Sequence, residues 1–89
     1  MRQNLKGPLN TSMQKDLLSI INEVRANKQQ PPLAALSPAL RLHDDIGFVS
    51  LDLAELTVRI EEKFGVDVFV DGLVHTVGEI EEKISKAGA

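Results

Sequence analysis

The residues of this chain that could do chemistry are few: one well-placed serine, Ser50, two histidines and several acids. There is no cysteine, so any thiol chemistry must be brought in by a cofactor. His43 and His75 belong to no cluster with metal-ligand spacing, which favours solvent-facing or loop-packing roles over metal binding or base catalysis. No glycine loop for phosphate and no serine elbow with catalytic partners is found. The sequence therefore disfavours an enzyme.

A calcium loop beginning at Asp67 is the one metal motif to consider. Asp71 and Gly72 fall at its fifth and sixth positions. However, Phe69 stands where an oxygen ligand is needed at the third position, and Gly78 stands where the bidentate acid belongs. We therefore predict no metal site.

Charge is distributed unevenly along the 89 residues, whose net charge is −3. Residues 1–43 carry six basic and two acidic residues (+4), whereas residues 44–89 carry four basic and eleven acidic residues (−7). The negative second half repels nucleic acid and attracts basic protein surfaces, although such a charge can also serve only solubility. Three phenylalanines, with no tryptophan or tyrosine, leave few platforms for stacking bases. We expect protein partners and no nucleic acid.

The first half of the chain predicts a tail, one helix and a long loop. Residues 1–9 indicate a flexible tail with no apolar run long enough for a signal or a membrane span, which favours the cytoplasm, and residues 10–89 suit a single domain. Asn10, Thr11 or Ser12 is expected to cap a helix that ends near Asn27. Prolines then prevent a continuous helix through residues 29–38. The inward stripe of the helix is Met13, Leu17, Ile20, Ile21 and Val24, and the loop leucines expected to pack down are Leu33, Leu36, Leu40 and Leu42.

The second predicted helix begins at Ser50, a favourable N-cap residue, and ends with Phe64 before Gly65. At about 100° per residue, one stripe of this helix is apolar and the opposite side carries charge. Leu51 and Val58 lie between the two and predict apolar spots bordered by acids, which is a plausible docking surface. The apolar stripe is Leu53, Leu56, Ile60 and Phe64, and the charged side is Asp52, Glu55, Arg59 and Glu62.

The last part of the chain predicts a connector and a final helix. Residues 66–70 alternate like a strand but have no second strand to pair with, so we expect an extended connector, followed by one short helical turn between Asp71 and His75. The sequence from Thr76 to Glu79 matches a capping box, and Val77, Ile80 and Ile84 supply the inward stripe of the final helix. The predicted fold is an all-α bundle of three main helices plus a short helix, with a long first loop.

Residues 44–56 (DDIGFVSLDLAEL) resemble the attachment region of acyl carrier proteins. That region has a leucine or isoleucine, a glycine, any residue, then Asp-Ser-Leu and an acidic amphipathic helix. The likeness continues through residues 60–66 and resumes at residues 76–80, so it covers about the last half of the chain. The resemblance implies that Ser50 receives phosphopantetheine from coenzyme A and that the thiol of this arm carries an acyl group as a thioester.

The resemblance also implies partners and a setting for the chain. It predicts a non-catalytic, monomeric carrier in fatty-acid, lipid or polyketide-type biosynthesis, served by a phosphopantetheinyl transferase and by acyl-transferring enzymes. A phosphate at Ser50 would meet the positive end of the helix dipole. The residues that match the recognition face of the family for basic partners are Leu51, Asp52, Glu55, Val58, Glu61 and Glu62.

Three departures from the family pattern leave an alternative open. Val49 replaces the aspartate that ordinarily precedes the serine, Arg59 interrupts the acidic face, and the connector is short for a full additional helix. These departures indicate a specialised carrier. Val49 also favours a second hypothesis, in which the chain is never modified and binds proteins through the same acidic helix. A small catalytic domain would need a nucleophile and a base that the sequence does not supply.

Overall fold

A computed structural model describes the backbone of residues 6–88 and the side chains of residues 12–87. Three helices, α1 (Lys6–Asn27), α2 (Ser50–Phe64) and α3 (Val77–Gly88), form the structure, and the described part contains no strand beyond one isolated bridge. The predicted all-α bundle of three main helices with a long first loop is confirmed. No helix in the described range combines the length and apolar character needed to span a membrane.

α1 starts earlier than the sequence predicts. It already includes Lys6, so the predicted cap at Asn10, Thr11 or Ser12 is wrong. Pro8 is compatible with this start, because amides in the first turn of a helix have no intrahelical acceptor to lose. Residues 1–5 of the predicted tail lie outside the described residues. The predicted end at Asn27 is confirmed.

The core forms where the inward stripes of the three helices meet the first loop. The stripe predicted for α1 is confirmed, with Met13 half-buried at its edge. In α2, Leu56 and Ile60 are buried, while Leu53 and Phe64 pack at the margin. The fully or almost fully buried apolar residues are Leu17, Ile20, Ile21, Val24, Leu42, Ile46, Phe48, Leu56, Ile60, Val68, Val74, Val77, Ile80 and Ile84.

The first loop, residues 28–49, packs onto the helices as the leucine content predicts. Leu33, Leu36 and Leu40 are half-buried against the core, and Leu42 is fully buried. Asn22 of α1 fixes the early part of this loop, because its side chain accepts from the N–H of Leu33 (2.7 Å) and donates to the same residue's carbonyl (3.0 Å).

The connector between α2 and α3 differs from both predictions made for it. It is neither extended through residues 66–70 nor helical between Asp71 and His75, and it contains a turn over residues 68–71. Asp67 explains this turn, since its carboxylate accepts from the N–H of Phe69 (3.0 Å) and so competes with an extended backbone. Gly72 follows with φ 127°, a conformation that ends the turn and that other residues rarely adopt.

The end of the first loop runs beside the start of α3. Leu42 donates its N–H to the carbonyl of His75 (2.8 Å), and Val77 donates to the carbonyl of Leu40 (2.9 Å). The predicted capping box is confirmed, because Glu79 N–H donates to Thr76 Oγ1 (3.2 Å) and the Glu79 carboxylate accepts from the N–H of Thr76 (3.4 Å). These contacts bring the loop before α2 and the loop before α3 to one side of the molecule.

Candidate functional site

Ser50 is the first residue of α2 and its side chain is exposed. The N-cap is Val49, with an extended backbone (φ −104°, ψ −178°), so the prediction that Ser50 itself caps the helix is wrong by one position. The hydroxyl of Ser50 is thus not engaged as a cap. The amides of the first turn have no intrahelical acceptors and carry the positive end of the helix dipole, an environment that suits a phosphate on Ser50.

The segment before Ser50 is held firmly by the core. Gly47 has φ 88°, in the region that favours glycine, and Phe48 is fully buried, with its N–H bonded to the carbonyl of Leu42 (2.8 Å). Arg25 of α1 is buried and donates to the carbonyl of Ile46 (2.7 Å). The backbone that carries Ser50 is therefore anchored on both the loop side and the core side.

Asp52 does not lie on the exposed face where the helical pattern puts it. Its exposed fraction is 7%, and Oδ2 accepts from Lys28 Nζ (2.7 Å) and from the N–H of Val49 (2.9 Å). Burial alone would raise the pKa of Asp52, but the hydrogen bonds from Lys28 and Val49 and the charge of Lys28 outweigh it and lower the pKa. The carboxylate of Asp52 is therefore ionised and turned inward, and it is not an open contact for a partner.

Glu55 also faces α1. Its Oε2 accepts from Arg59 Nε (2.9 Å) and from Asn27 Nδ2 (2.7 Å), and Arg59 Nη1 donates to Glu23 Oε1 of α1 (2.6 Å). Arg59, which interrupts the acidic pattern in the sequence, is thus the bridge between the two helices. Glu55 is half-buried within this bridge.

Three of the predicted docking residues do share one open face of α2. Leu51 is 79% exposed, Val58 is 53% exposed, and Glu62 is exposed nearby on the helix surface. Glu61 is exposed as well. The predicted face is thus divided. Leu51, Val58 and Glu62 are exposed, and Glu62 also borders the groove between α2 and α1. Asp52 and Glu55 are bonded to residues in the last part of α1 or just after its end.

A cavity of about 330 Å³ lies beside Ser50. Its apolar wall joins the first loop, α2 and the connector, which is why no local sequence pattern could reveal it. Its polar rim includes both histidines, and both are exposed rather than part of a ligand cluster. The apolar wall consists of Phe48, Val49, Leu53, Leu73 and Val74, and the polar rim consists of Arg41, His43, Asp44 and His75.

The charges at this rim are paired. Arg41 Nε lies 3.2 Å from Asp45 Oδ2, and Arg41 Nη1 lies 3.3 Å from Asp44 Oδ2. The hydrogen bond with Asp45 and the charges of both acids raise the pKa of Arg41, while the same bond, with that from the Arg41 N–H, lowers the pKa of Asp45. His43 Nδ1 lies 3.0 Å from Asp44 Oδ1. The rim therefore offers no large excess of positive charge, and the cavity suits a mainly apolar ligand.

Lys28 and Arg25 are site residues that sequence reasoning missed. Arg25, in the last turn of α1, and Lys28, just after its end, each donate to a backbone carbonyl shortly before Ser50. The one signal for them is weak: basic residues are favoured near the carboxyl end of a helix, where they meet the negative end of its dipole. That rule does not say which carbonyl or carboxylate such a residue will bind.

Comparison with known protein families gives a match over most of the chain. The model of the family described as "phosphopantetheine attachment site" matches residues 16–84. This range includes all of α2 with Ser50, the connector and most of α1 and α3. No solved structure gives a significant match to the chain.

Proposed function

The chain belongs to the phosphopantetheine attachment-site family, and on this premise we propose that Ser50 carries the phosphopantetheine arm. The observation that carries the proposal is the position of Ser50, which is exposed at the first turn of α2 and at the edge of an apolar cavity. Phosphopantetheine is the covalent cofactor of the family, and a carrier role follows from membership.

The residues around Ser50 fit such a group. The hydroxyl is exposed, the first-turn amides face the place where a phosphate would be attached, and the apolar cavity begins at the neighbouring residue Val49. When bound, the arm supplies a thiol that forms a thioester with the cargo. The contribution of the chain itself is to present one hydroxyl and to offer an apolar recess.

In the attachment step, the chain supplies only the nucleophilic hydroxyl. The Ser50 Oγ forms a bond to the phosphorus of coenzyme A that carries the pantetheine, and the pyrophosphate bond breaks. Adenosine 3′,5′-bisphosphate leaves, and the hydroxyl proton passes to a base of the transferase. We find no residue of the chain bonded to the Ser50 hydroxyl among the described side chains, which supports a base supplied by the partner enzyme.

We further propose that the cargo is an acyl group of modest size. The cavity is lined by aliphatic and aromatic side chains from three parts of the fold, and its volume of about 330 Å³ lies at the small end of the range of roughly 300–1,000 Å³ for ligand sites. An apolar cavity of this size supports acyl transfer in fatty-acid, lipid or polyketide-type biosynthesis. We also propose that the chain acts in the cytoplasm as a monomer and catalyses no reaction itself.

The partner surface that we propose is the open face of α2, formed by Leu51, Val58 and Glu62. Exposed aliphatic side chains beside an acid suit a partner with a basic rim and an apolar centre. Asp52 and Glu55, which the sequence also assigns to this surface, would act there only indirectly, because their carboxylates are bonded to Lys28 and Arg59.

A second function, an unmodified protein-binding module, is favoured by Val49 in place of the family's aspartate. The deciding experiment is the intact mass of the chain after incubation with coenzyme A and a broad-specificity transferase. We expect one added arm in the wild type and in the control Ser85→Ala, whose serine is exposed on α3, and none in Ser50→Ala. If several transferases from different sources all leave the wild type unmodified, the binding module is the better proposal.

A further inference from the structure

Lys28 stands at the point where the chain leaves α1. The end of the helix is fixed by Gln29, which adopts the left-handed conformation (φ 63°), and by the N–H of Gln30, which donates to the carbonyl of Arg25 (2.9 Å). This is the hydrogen-bond pattern of a Schellman ending, with glutamine in the position that glycine usually takes. These contacts fix the backbone at Lys28, so its side chain starts from a defined position.

The ammonium group of Lys28 holds both ends of the short segment before Ser50, residues 47–49. Nζ donates to the carbonyl of Gly47 (2.8 Å) and to Asp52 Oδ2 (2.7 Å). The same Asp52 oxygen accepts from the N–H of Val49 (2.9 Å). Lys28 therefore fixes the start of the segment directly and its end through one intermediate carboxylate.

Lys28 acts on the two residues that flank Phe48. Phe48 is anchored in the core, and Lys28 holds Gly47 directly and Val49 through Asp52, so it bears on the backbone that leads to Ser50. Removal of the ammonium group would leave the buried carboxylate of Asp52 without its cation, which is costly and favours rearrangement of that carboxylate. Only 26% of the Lys28 side chain is exposed, so the contact is not one of the weak pairs at the open surface.

We propose that Lys28 is a positioning residue for the modification of Ser50: by clamping Gly47 and Asp52, it fixes the direction in which the Ser50 hydroxyl is presented to the transferase. The inference rests on the proposed attachment of phosphopantetheine at Ser50. Attack on phosphorus requires close alignment of the nucleophile, and misplacement by about 1 Å can cost roughly a hundredfold in rate.

The test compares Lys28→Met with Lys63→Met in a loading assay with coenzyme A and one broad-specificity transferase. Methionine keeps much of the length of lysine without its charge. Lys63 is the matched control, because it is an exposed lysine of α2 whose only described ion pair, with Asp16, is long at 4.0 Å. We expect kcat for loading to fall about tenfold in Lys28→Met, with KM changed by less than about twofold, because the nucleophile is misaligned while the docking face is intact.

A second variant keeps the proposal testable if Lys28→Met does not fold. Asp52→Asn retains an acceptor for the Val49 N–H and removes the charge that binds Lys28, so it should also lower kcat more than it changes KM. Because the two residues act as one clamp, the double variant Lys28→Met/Asp52→Asn should lose about as much kcat for loading as the more damaging of the two single variants. Far-UV circular dichroism and a thermal melt confirm the fold of each variant.

The outcomes separate this inference from the function on which it rests. Normal loading of the wild type, together with unchanged kcat in a folded Lys28→Met or Asp52→Asn variant, overturns the clamp and leaves the carrier function standing. An equal fall in Lys63→Met also overturns it, since charge alone would then explain the effect. A wild type that no transferase loads overturns both proposals.

Discussion

The two sides of α2 carry similar residues but use them differently. On the side toward α1, four charged residues each have a partner on α1 or just after its end, and the contacts run in order along the two segments. On the open side, aliphatic and acidic side chains have no ion pair among the described residues. The paired contacts are Asp52 with Lys28, Glu55 with Asn27, Arg59 with Glu23 and Lys63 with Asp16.

The charge of a helix therefore does not by itself identify its docking surface. The acids at positions 52 and 55 and those at positions 61 and 62 look alike in sequence. Only the second pair is exposed and without an ion pair among the described residues, because Lys28 and Asn27, at the end of α1, bind the first pair. One side of α2 holds the fold and the site in place, and the other remains available for binding.

The largest expected effect is on stability, and it compares two leucines of α2. Leu56 is fully buried and Leu51 is exposed. Leu56→Ala should lower the free energy of unfolding by about 2–5 kcal/mol, because it leaves a cavity in the core. Leu51→Ala should change it by no more than about 0.5 kcal/mol. Urea unfolding measures both, and similar losses in the two variants would contradict the division of α2 into two sides.

The next effect concerns Asp52 and pH. Asp52→Asn should lower the free energy of unfolding at neutral pH by about 1–3 kcal/mol, since it removes a charged acceptor from Lys28. The pKa of Asp52 is lowered by folding, so its stabilising contribution is complete above the ordinary value of 3.8 and is lost as pH falls through the lower folded value. The difference between wild type and variant should therefore shrink in acid.

The wild type must be compared with Asp52→Asn because other acids also make the stability depend on pH. The pKa of Asp45 and that of Glu79 are lowered by their hydrogen bonds with Arg41 and with the N–H of His75, so both proteins lose stability in acid. Denaturant melts at a series of pH values give the difference directly. If the difference in the free energy of unfolding between wild type and Asp52→Asn stays constant as the pH is lowered, Asp52 is not held as an ion.

A smaller effect is expected at Val49, the N-cap next to Ser50. Val49→Asp should stabilise the protein by about 0.5–2 kcal/mol, because an aspartate at this position can accept from a free amide of the first turn. It should also speed loading by a transferase that recognises the aspartate of the family. Val49→Asn separates the two causes, since it supplies the cap without the charge. If Asp and Asn raise the initial rate equally, capping and not recognition is responsible.

The smallest expected effect is on docking. Glu62→Lys should slow loading several-fold at low ionic strength and less at high, because attraction between exposed charges is screened over roughly 8–10 Å. Glu82→Lys on α3 makes the same charge change away from the proposed face. Glu55→Lys should slow loading less than Glu62→Lys, because the carboxylate of Glu55 is tied to α1. Initial rates at two salt concentrations test this order, and equal slowing by Glu62→Lys and Glu82→Lys would mean that the whole acidic half attracts the partner.

The sequence alone predicts most of the fold and the position of Ser50. Periodic apolar residues and Gly65 indicate α2, and the capping box from Thr76 to Glu79 indicates the start of α3, because these signals depend on residues only a few positions apart. Two predictions from the sequence are wrong. α1 starts at Lys6, because a helix tolerates Pro8 in its first turn, and the connector at residues 66–75 contains a turn, because the Asp67 side chain bonds to the backbone.

The packing of the helices and loops determines which groups surround Ser50 and which are exposed. The clamp at Lys28, the inward turn of Asp52 and the cavity wall that Leu73 shares with Phe48 all join residues about 20 or more positions apart. No local pattern carries such information, because it depends on how the helices and loops pack together. Local residue patterns are enough to specify three amphipathic helices and a serine at the start of the second. Packing of α2 against α1 and the first loop specifies that one set of charges supports this serine and the other faces solvent.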